Sequence, residues 1–340
     1  MTLKRVGLVG TGAIARHHAR QWQKLPVTLA GYYDVRPEAA QAFCDQFGGR
    51  AYPSLDALLA DVDVVDICTP AVAHKECVLA AARAGVPMVC EKPLARHLQD
   101  AREMVEACDR ARVPLFVAHV VRFFPQFARA HELVESGLIG RPGVVRTIRA
   151  GSFPRFGGSE SGKIYGNFAL SGGVILDVCI HDIDFQRWCC GEVERVFARG
   201  LTFAGHPERD HALLTLRFAS GAIGHIEGSW AHPPGQFRTR LELAGDRGLI
   251  EWDSTQPQPV QAAQLDENGT VHRTTASPLA PEDDPYCAEL AHFLHCLETG
   301  EPFRVSPHDA LMAVQIALAA IASLRRGEPV EVATFQEDAP

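Results

Sequence analysis

The 340-residue sequence is short of positive charge: 33 Lys and Arg stand against 41 Asp and Glu, a formal net charge of −8. With a pI near 6.0 and no basic stripe, nothing attracts a phosphate backbone, and no nucleic acid partner is expected. No run approaches the ~18 consecutive apolar residues that a bilayer crossing needs, so no membrane partner is expected either. The first ten residues, Met1 to Gly10, reach glycines before a secretory hydrophobic region can form, and a cytoplasmic location is expected. None of the ten cysteines form a C-x-x-C pair, which excludes zinc ribbons and thioredoxin-type redox motifs. Cys68, Cys77, Cys90 and Cys179 sit in apolar runs as small hydrophobes, and the adjacent Cys189 and Cys190 read as helix packing, so reduced thiols are expected. Internal repeats and low-complexity tracts are also lacking. What is present, 46% hydrophobic and 22% charged residues, is globular composition long enough for about two domains.

Up to about Leu115 the chain alternates strand-like runs (Arg5–Val9, Thr28–Tyr33, Val62–Cys68, Val86–Cys90, Leu115–Ala118) with helical stretches (Ala13–Leu25, Pro37–Phe47, Ser54–Ala60, Ala71–Ala84, Leu98–Arg112). That rhythm predicts a doubly wound parallel sheet with helices on both faces, a Rossmann-type α/β domain over residues 1–120. After Gly143 strand follows strand with short turns, from Val144–Ala150 to Leu249–Trp252, which predicts an open-faced, mostly antiparallel sheet in an α+β domain over 121–340. One inserted helix, about Gly172 to Cys190, and two closing helices, Pro285–Thr299 and Pro307–Arg326, complete it, and the last is a candidate to pack back on the first domain. Residues 254–284, polar and proline-rich, read as a surface excursion.

Directly after the first strand, Gly10-Thr11-Gly12-Ala13-Ile14-Ala15 fits G-x-G-x-x-G/A in its alanine form. Glycines allow the sharp turn and the close approach of backbone to a diphosphate, and the following helix offers free N–H groups at its positive end. Asp34 closes the second strand about 20 residues on, where a carboxylate accepts the ribose hydroxyls and repels a 2′-phosphate. NAD is therefore expected, with Arg36 leaving NADP possible.

Three more segments complete the pattern: Thr69-Pro70-Ala71-Val72-Ala73-His74, Glu91-Lys92-Pro93, and Gly172-Gly173 through Asp177 and His181 to Asp184. With the glycine loop, and in this order over nearly the whole chain, they resemble the Gfo/Idh/MocA oxidoreductases. The resemblance implies hydride transfer between a nicotinamide and a hydroxyl carbon of a sugar, sugar acid or cyclitol, in a homodimer or homotetramer formed through the sheet faces. It makes Lys92, Asp177 and His181 the catalytic trio and places His74 near the nicotinamide ribose. Gly10, Thr11, Gly12, Ala13, Ile14, Asp34, Arg36, Thr69, Pro70, Glu91 and Lys92 accompany it on the cofactor.

The chemistry agrees with those residue types. A lysine at the carboxyl edge of a parallel sheet can bind or deprotonate a hydroxyl, and an imidazole four residues from a carboxylate on one helix face suits proton shuttling. Asp182 and Asp184 read as pairing residues. His119, Arg122, Arg155, Lys163 and Tyr165 are the expected substrate contacts. His119 and Cys179 stand where relatives often carry a small or amide residue and a glycine. The Asp-x-x-x-His spacing also suits metal ligands, with His119, His225 and His232 as further donors; no third ligand is marked by spacing, so no metal is expected. Two other readings remain open: an NAD-retaining glycosidase, and a dinucleotide-sensing regulator without activity.

Overall fold

A computed structural model describes residues 4–154, 164–202, 210–276 and 284–337. The chain forms an N-terminal Rossmann-type parallel sheet followed by a mixed, mostly antiparallel one, in two compact units.

The first unit is Met1–Val120 with Asp283–Leu311. Its strands β1 (Lys4–Val9), β2 (Val27–Tyr33), β3 (Arg50–Ala51), β4 (Val64–Ile67), β5 (Met88–Glu91) and β6 (Leu115–Ala118) lie in the order β3-β2-β1-β4-β5-β6, all parallel. β4, β5 and β6 are buried on both faces, which is why their sequences run apolar without alternation. Local chemistry sets the helix ends. Pro37 opens α2 (Pro37–Phe47), Ser54 accepts the Ala57 N–H ahead of α3 (Leu55–Leu59), and Gly85 closes α4 (Ala71–Ala84) in a left-handed turn. α1 (Ala13–Trp22) and α5 (Leu98–Ala111) complete the winding. Residues 283–311, assigned to the second domain from the sequence, fold instead with the first. The helix Pro285–Thr299 buries Leu290 and Phe293, and Phe293 lies 5.8 Å from Phe116 of β6.

The second unit is Val121–Glu282 with Met312–Pro340. Its described strands form one sheet in the order β14-β13-β12-β11-β7-β10-β9-β8-β15, antiparallel throughout except where β10 (Ile223–Ser229) runs beside β7 (Pro142–Gly151). The others are β8 (Val193–Leu201), β9 (His211–Phe218), β11 (Phe237–Gly245), β12 (Gly248–Asp253), β13 (Val260–Leu265), β14 (Val271–Ala276) and β15 (Val330–Glu331). A helix absent from the sequence reading, α6 (Pro125–Glu135), precedes β7. The 254–284 excursion is likewise corrected: β13 and β14 extend the sheet as a hairpin. Val260 and Ala262 point inward, while Gln261, Gln264 and the threonines of β14 raised the polarity that hid the period of two. Asp266 builds the turn by accepting from the N–H groups of Asn268 and Thr270.

The inserted helix is interrupted. After the short α7 (Phe168–Ser171), residues Ile175–Cys179 form a π turn that leads into α8 (Ile180–Cys190), where one regular helix was expected. Pro307–Arg326 forms the long helix α10, numbered after α9 (Pro285–Thr299). Among the described residues it is the one helix long and apolar enough to cross a bilayer. Ala313, Val314, Ile316, Ala317 and Ala320 along it are fully buried, as in a core helix.

Candidate active site

The glycine loop turns between β1 and α1. Gly10 has φ +86°, and a Cβ there would stand 2.9 Å from the Cys68 carbonyl oxygen, so glycine is required on two counts. Gly12, the N-cap of α1, is different: a Cβ there would meet nothing within 4 Å. Among the described residues no side chain caps this helix start, and no acid sits in its first turn. Asp34 stands just past β2. Its Oδ2 accepts from the Thr11 N–H (3.0 Å) and hydroxyl (2.7 Å), and its Oδ1 from the Arg36 N–H (3.0 Å) and Nε (3.2 Å). Partial burial pushes the carboxyl pKa up, but these donors outweigh it and hold the group below its ordinary value. Two apolar side chains that the sequence did not single out, Val35 (83% exposed) and Val72 (47%), stand bare at this edge. A dinucleotide fits these features: open backbone for its diphosphate, an ionised acid for a ribose, and apolar surface for an adenine.

The loops after β4 and β5 are tied to each other. His74, in the first turn of α4, is buried rather than placed on the surface. Its Nδ1 lies 3.0 Å from the Pro93 carbonyl oxygen and its Nε2 2.8 Å from that of Thr69. Burial pulls its pKa down against the carbonyls and Glu91, which pull it up, and burial wins. The imidazole is thus a strut joining Thr69-Pro70 to Lys92-Pro93-Leu94. Lys92, partly exposed, follows β5; its main-chain N–H donates to the carboxylate of Glu91 (3.0 Å). Gly10 through Ile14, Asp34, Arg36, Thr69, Pro70, His74, Glu91 and Lys92 therefore all lie at or just beyond the carboxyl ends of β1, β2, β4 and β5, where open α/β sheets bind ligands.

Beneath this edge, His18, Asp66 and Cys68 bring three ligand-type atoms within 4.8 Å of one another, all buried. Asp66 accepts from His18 Nδ1 (2.9 Å), Trp22 Nε1 (2.7 Å) and Cys68 Sγ (3.3 Å). Proton donors converge there on one carboxylate, which is the chemistry of a stabilised anion rather than of a cation site.

In the second unit, Asp177 lies on the π turn and His181 in the first turn of α8, both partly exposed. Their neighbours are built into the frame. Asp184 receives Arg122 Nη2 (2.6 Å) and Nε (2.8 Å), and Asp182 receives Arg149 Nε (2.7 Å), with all four side chains buried. Arg122 also lies over the Trp188 ring at 5.1 Å. Arg122 was expected at the substrate; it is 2% exposed and its fork is engaged by Asp184, which makes it a structural cation. His119 was expected there too, and is fully buried. Tyr165 remains partly exposed, its ring 6.2 Å from that of Trp230. Arg155 and Lys163 lie outside the described residues.

A family model described as "Oxidoreductase family, NAD-binding Rossmann fold" matches residues 4–119, and the C-terminal domain model of the same family matches residues 127–251. Myo-inositol 2-dehydrogenase of Thermotoga maritima is 33% identical over 96% of this chain and 98% of its own. D-apiose dehydrogenase of Paraburkholderia graminis is 30% identical over all of this chain and 93% of its own. An oxidoreductase from Agrobacterium radiobacter, solved with NAD+, L-tartaric acid and magnesium, superposes with a TM-score of 0.85 at 27% identity, covering 98% of this chain and all of its own. The two family models and the full-length relatives agree, and the chain belongs to the Gfo/Idh/MocA family of NAD-binding oxidoreductases.

Proposed function

We propose that this protein is an NAD-dependent dehydrogenase that oxidises a secondary or anomeric hydroxyl of a cyclitol or sugar. The observation that carries this reading is Lys92. It is a partly exposed amine at the carboxyl edge of β5, in the loop that His74 ties to Thr69-Pro70 and in the same row of strand ends as the glycine loop and Asp34. Membership in a family with inositol and apiose dehydrogenases supports the substrate class.

When bound, NAD supplies the ring carbon that accepts hydride. Its diphosphate would rest on the N–H groups after Gly12, and Asp34 would accept from the adenosine ribose. Lys92 Nζ holds the reacting hydroxyl oxygen and stabilises negative charge there as the C–H bond breaks. Within the second unit, the family resemblance gives a ring nitrogen of His181 the role of taking a hydroxyl proton and Asp177 that of orienting the substrate and supporting the imidazolium. A non-catalytic sensor would have no need to keep these reactive residue types.

A panel of cyclitols, aldoses and sugar acids with NAD or NADP, followed by nicotinamide absorbance, tests the reading. Lys92→Ala is expected to lower kcat on the preferred substrate by about 10²-fold or more. Equal rates for the two proteins would remove Lys92 from the chemistry. Turnover that leaves NAD unchanged while cleaving glycosides would replace the dehydrogenase with a glycosidase.

A further inference from the structure

Lys92 rests on a buried chain of charges that the reaction does not itself require. Glu91 Oε2 accepts the Lys92 main-chain N–H at 3.0 Å. The other carboxylate oxygen, Oε1, lies 3.0 Å from Nε2 of His18, an ion-pair distance outside hydrogen-bond alignment, and the opposite ring nitrogen, Nδ1, lies 2.9 Å from Asp66 Oδ2 in a hydrogen bond. His18 and Asp66 are fully buried and Glu91 is 6% exposed. A neutral imidazole carries one N–H and one lone pair, so between two carboxylates one of its nitrogens would present a lone pair to an anionic oxygen. An anionic oxygen within 3.0 Å of each nitrogen favours the charged ring over a neutral one that would turn a lone pair toward one of them.

The surroundings supply the compensating charge. α1 contributes His17, His18 and Gln21; β4 and its end contribute Asp66 and Cys68; β5 contributes Cys90 and Glu91; the α9 segment contributes Asp284, Tyr286 and Glu289. Burial opposes charge on His18, but Asp66 and Cys68 outweigh it and hold its pKa well above the ordinary value. Glu289 is fully buried, and among the described residues neither of its oxygens has a hydrogen-bond partner. Burial, with Glu91 nearby, drives its carboxyl far up. With Asp284 partly exposed and paired to His17, a neutral Glu289 leaves the buried part of the group with two carboxylates and one imidazolium, whereas an ionised one would put a third anion into the same dry space.

We propose that His18 is a positioning residue for Lys92: as an imidazolium held between Asp66 and Glu91, it fixes the Glu91 carboxylate that in turn sets the main chain of Lys92, with Glu289 closing the cluster in neutral form. The proposal rests on the catalytic reading of Lys92. It assigns no contact between His18 and substrate. It accounts for why a cluster so costly to bury lies under the Glu-Lys-Pro turn and not elsewhere in the sheet.

The test has two arms on the full-length protein with NAD. In the first, ring nitrogens are observed by 15N NMR in histidine-labelled wild type, with the His18 signals assigned by their loss in His18→Gln. Both nitrogens are expected to stay protonated at pH 8, and a neutral His18 ring at that pH overturns the proposal. In the second, His18→Gln, whose amide can still reach Glu91, is compared with His18→Asn, whose amide can reach only Asp66. His18→Asn should lower kcat by about tenfold or more, because small misplacements of a reacting group are costly, with KM for NAD held within about twofold. His18→Gln should recover most of that loss, and in a Lys92→Ala background His18→Asn should change kcat by less than about twofold, since coupled positions are not additive. Equal losses in Gln and Asn, a rise in KM alone, or additive losses would each overturn it. If Lys92→Ala by itself leaves kcat unchanged, the reading of Lys92 fails and the positioning role falls with it, while the NMR result still reports on the charge state of His18.

Discussion

Four donor contacts from Thr11 and Arg36 fix Asp34 and keep it ionised, so under the proposed function a ribose would meet a prepared anion. Arg36 is half exposed and already pairs with Asp34, so its charge is partly spent before any 2′-phosphate arrives. Asp34→Ala is therefore expected to weaken NAD binding about tenfold, the scale of one charge-assisted hydrogen bond, and to narrow the preference for NAD over NADP. Titration of protein fluorescence with each dinucleotide measures both, and an unchanged preference would remove Asp34 from the discrimination. The sequence displayed this residue plainly because its signal is local: a strand, an acid at its end, and a spacing. His18, Asp66 and Glu289 gave no such signal, since 48 residues separate the first two and Glu289 arrives on a helix from the far end of the chain. Only tertiary packing makes them a unit.

The inserted helix illustrates the same division one level up. Its span, about Gly172 to Cys190, was legible in the sequence, but its π turn at Ile175–Cys179 and its fit to the sheet beneath were not. Gly228 of β10 leaves room for Cys179: a Cβ there would stand 2.2 Å from its Sγ. Gly224 does the same for the Gln186 amide, which donates to Thr147 Oγ1 and the His225 carbonyl oxygen at 2.9 Å each. Seven helical residues rise ~10 Å and four strand residues ~13 Å, so the two glycines and their two partners nearly keep step. Gly228→Ala should cost about 1–3 kcal/mol by overpacking, read from urea unfolding, and Cys179→Gly in the same chain should recover most of it. Additive losses in the double variant would show that the two positions do not share this space. Breaking the buried Arg122–Asp184 pair with Asp184→Asn should cost more, about 3–5 kcal/mol, because it strands a buried guanidinium. Its distinguishing outcome is partial repair by Arg122→Met in the same chain.

Charge and surface act across the whole molecule. His74 and His292 are both held below their ordinary pKa of 6.5 by burial, His292 at about 4 with its Nε2 accepting the Arg304 N–H. A histidine kept neutral in the fold charges more readily once unfolded, so the stability it contributes is present above the unfolded pKa and is lost as pH falls below about 6.5. His18 has the opposite sign: its contribution is full below its unfolded pKa and is lost only as pH rises through the elevated folded value. Chemical denaturation should therefore show a loss of stability from pH 6.5 to pH 5 that is smaller in His74→Gln than in the wild type. The two-domain order was readable from the sequence because strand rhythm changes at Gly143, but the return of residues 283–311 to the first unit was not, since that choice depends on Phe293 finding Phe116. The second sheet leaves one further fact to account for. By register, Leu201, Leu213, Ile223, Leu265 and Val271 all project from the face opposite α8, each between 44% and 56% exposed, with Arg146 and Arg240 among them paired to Glu242. Scattered apolar residues on a monomer need no explanation, but five on one sheet face, interleaved with paired charges, suit a self-complementary interface between two copies of the chain. A homodimer or homotetramer formed through this face is the expected state. Leu213→Asp with Ile223→Lys should shift the mass measured by light scattering toward the 37.0 kDa monomer, with far-ultraviolet circular dichroism unchanged. A wild type that is already monomeric at micromolar concentration, or a double variant that keeps the wild-type mass, would place the contact elsewhere or remove it.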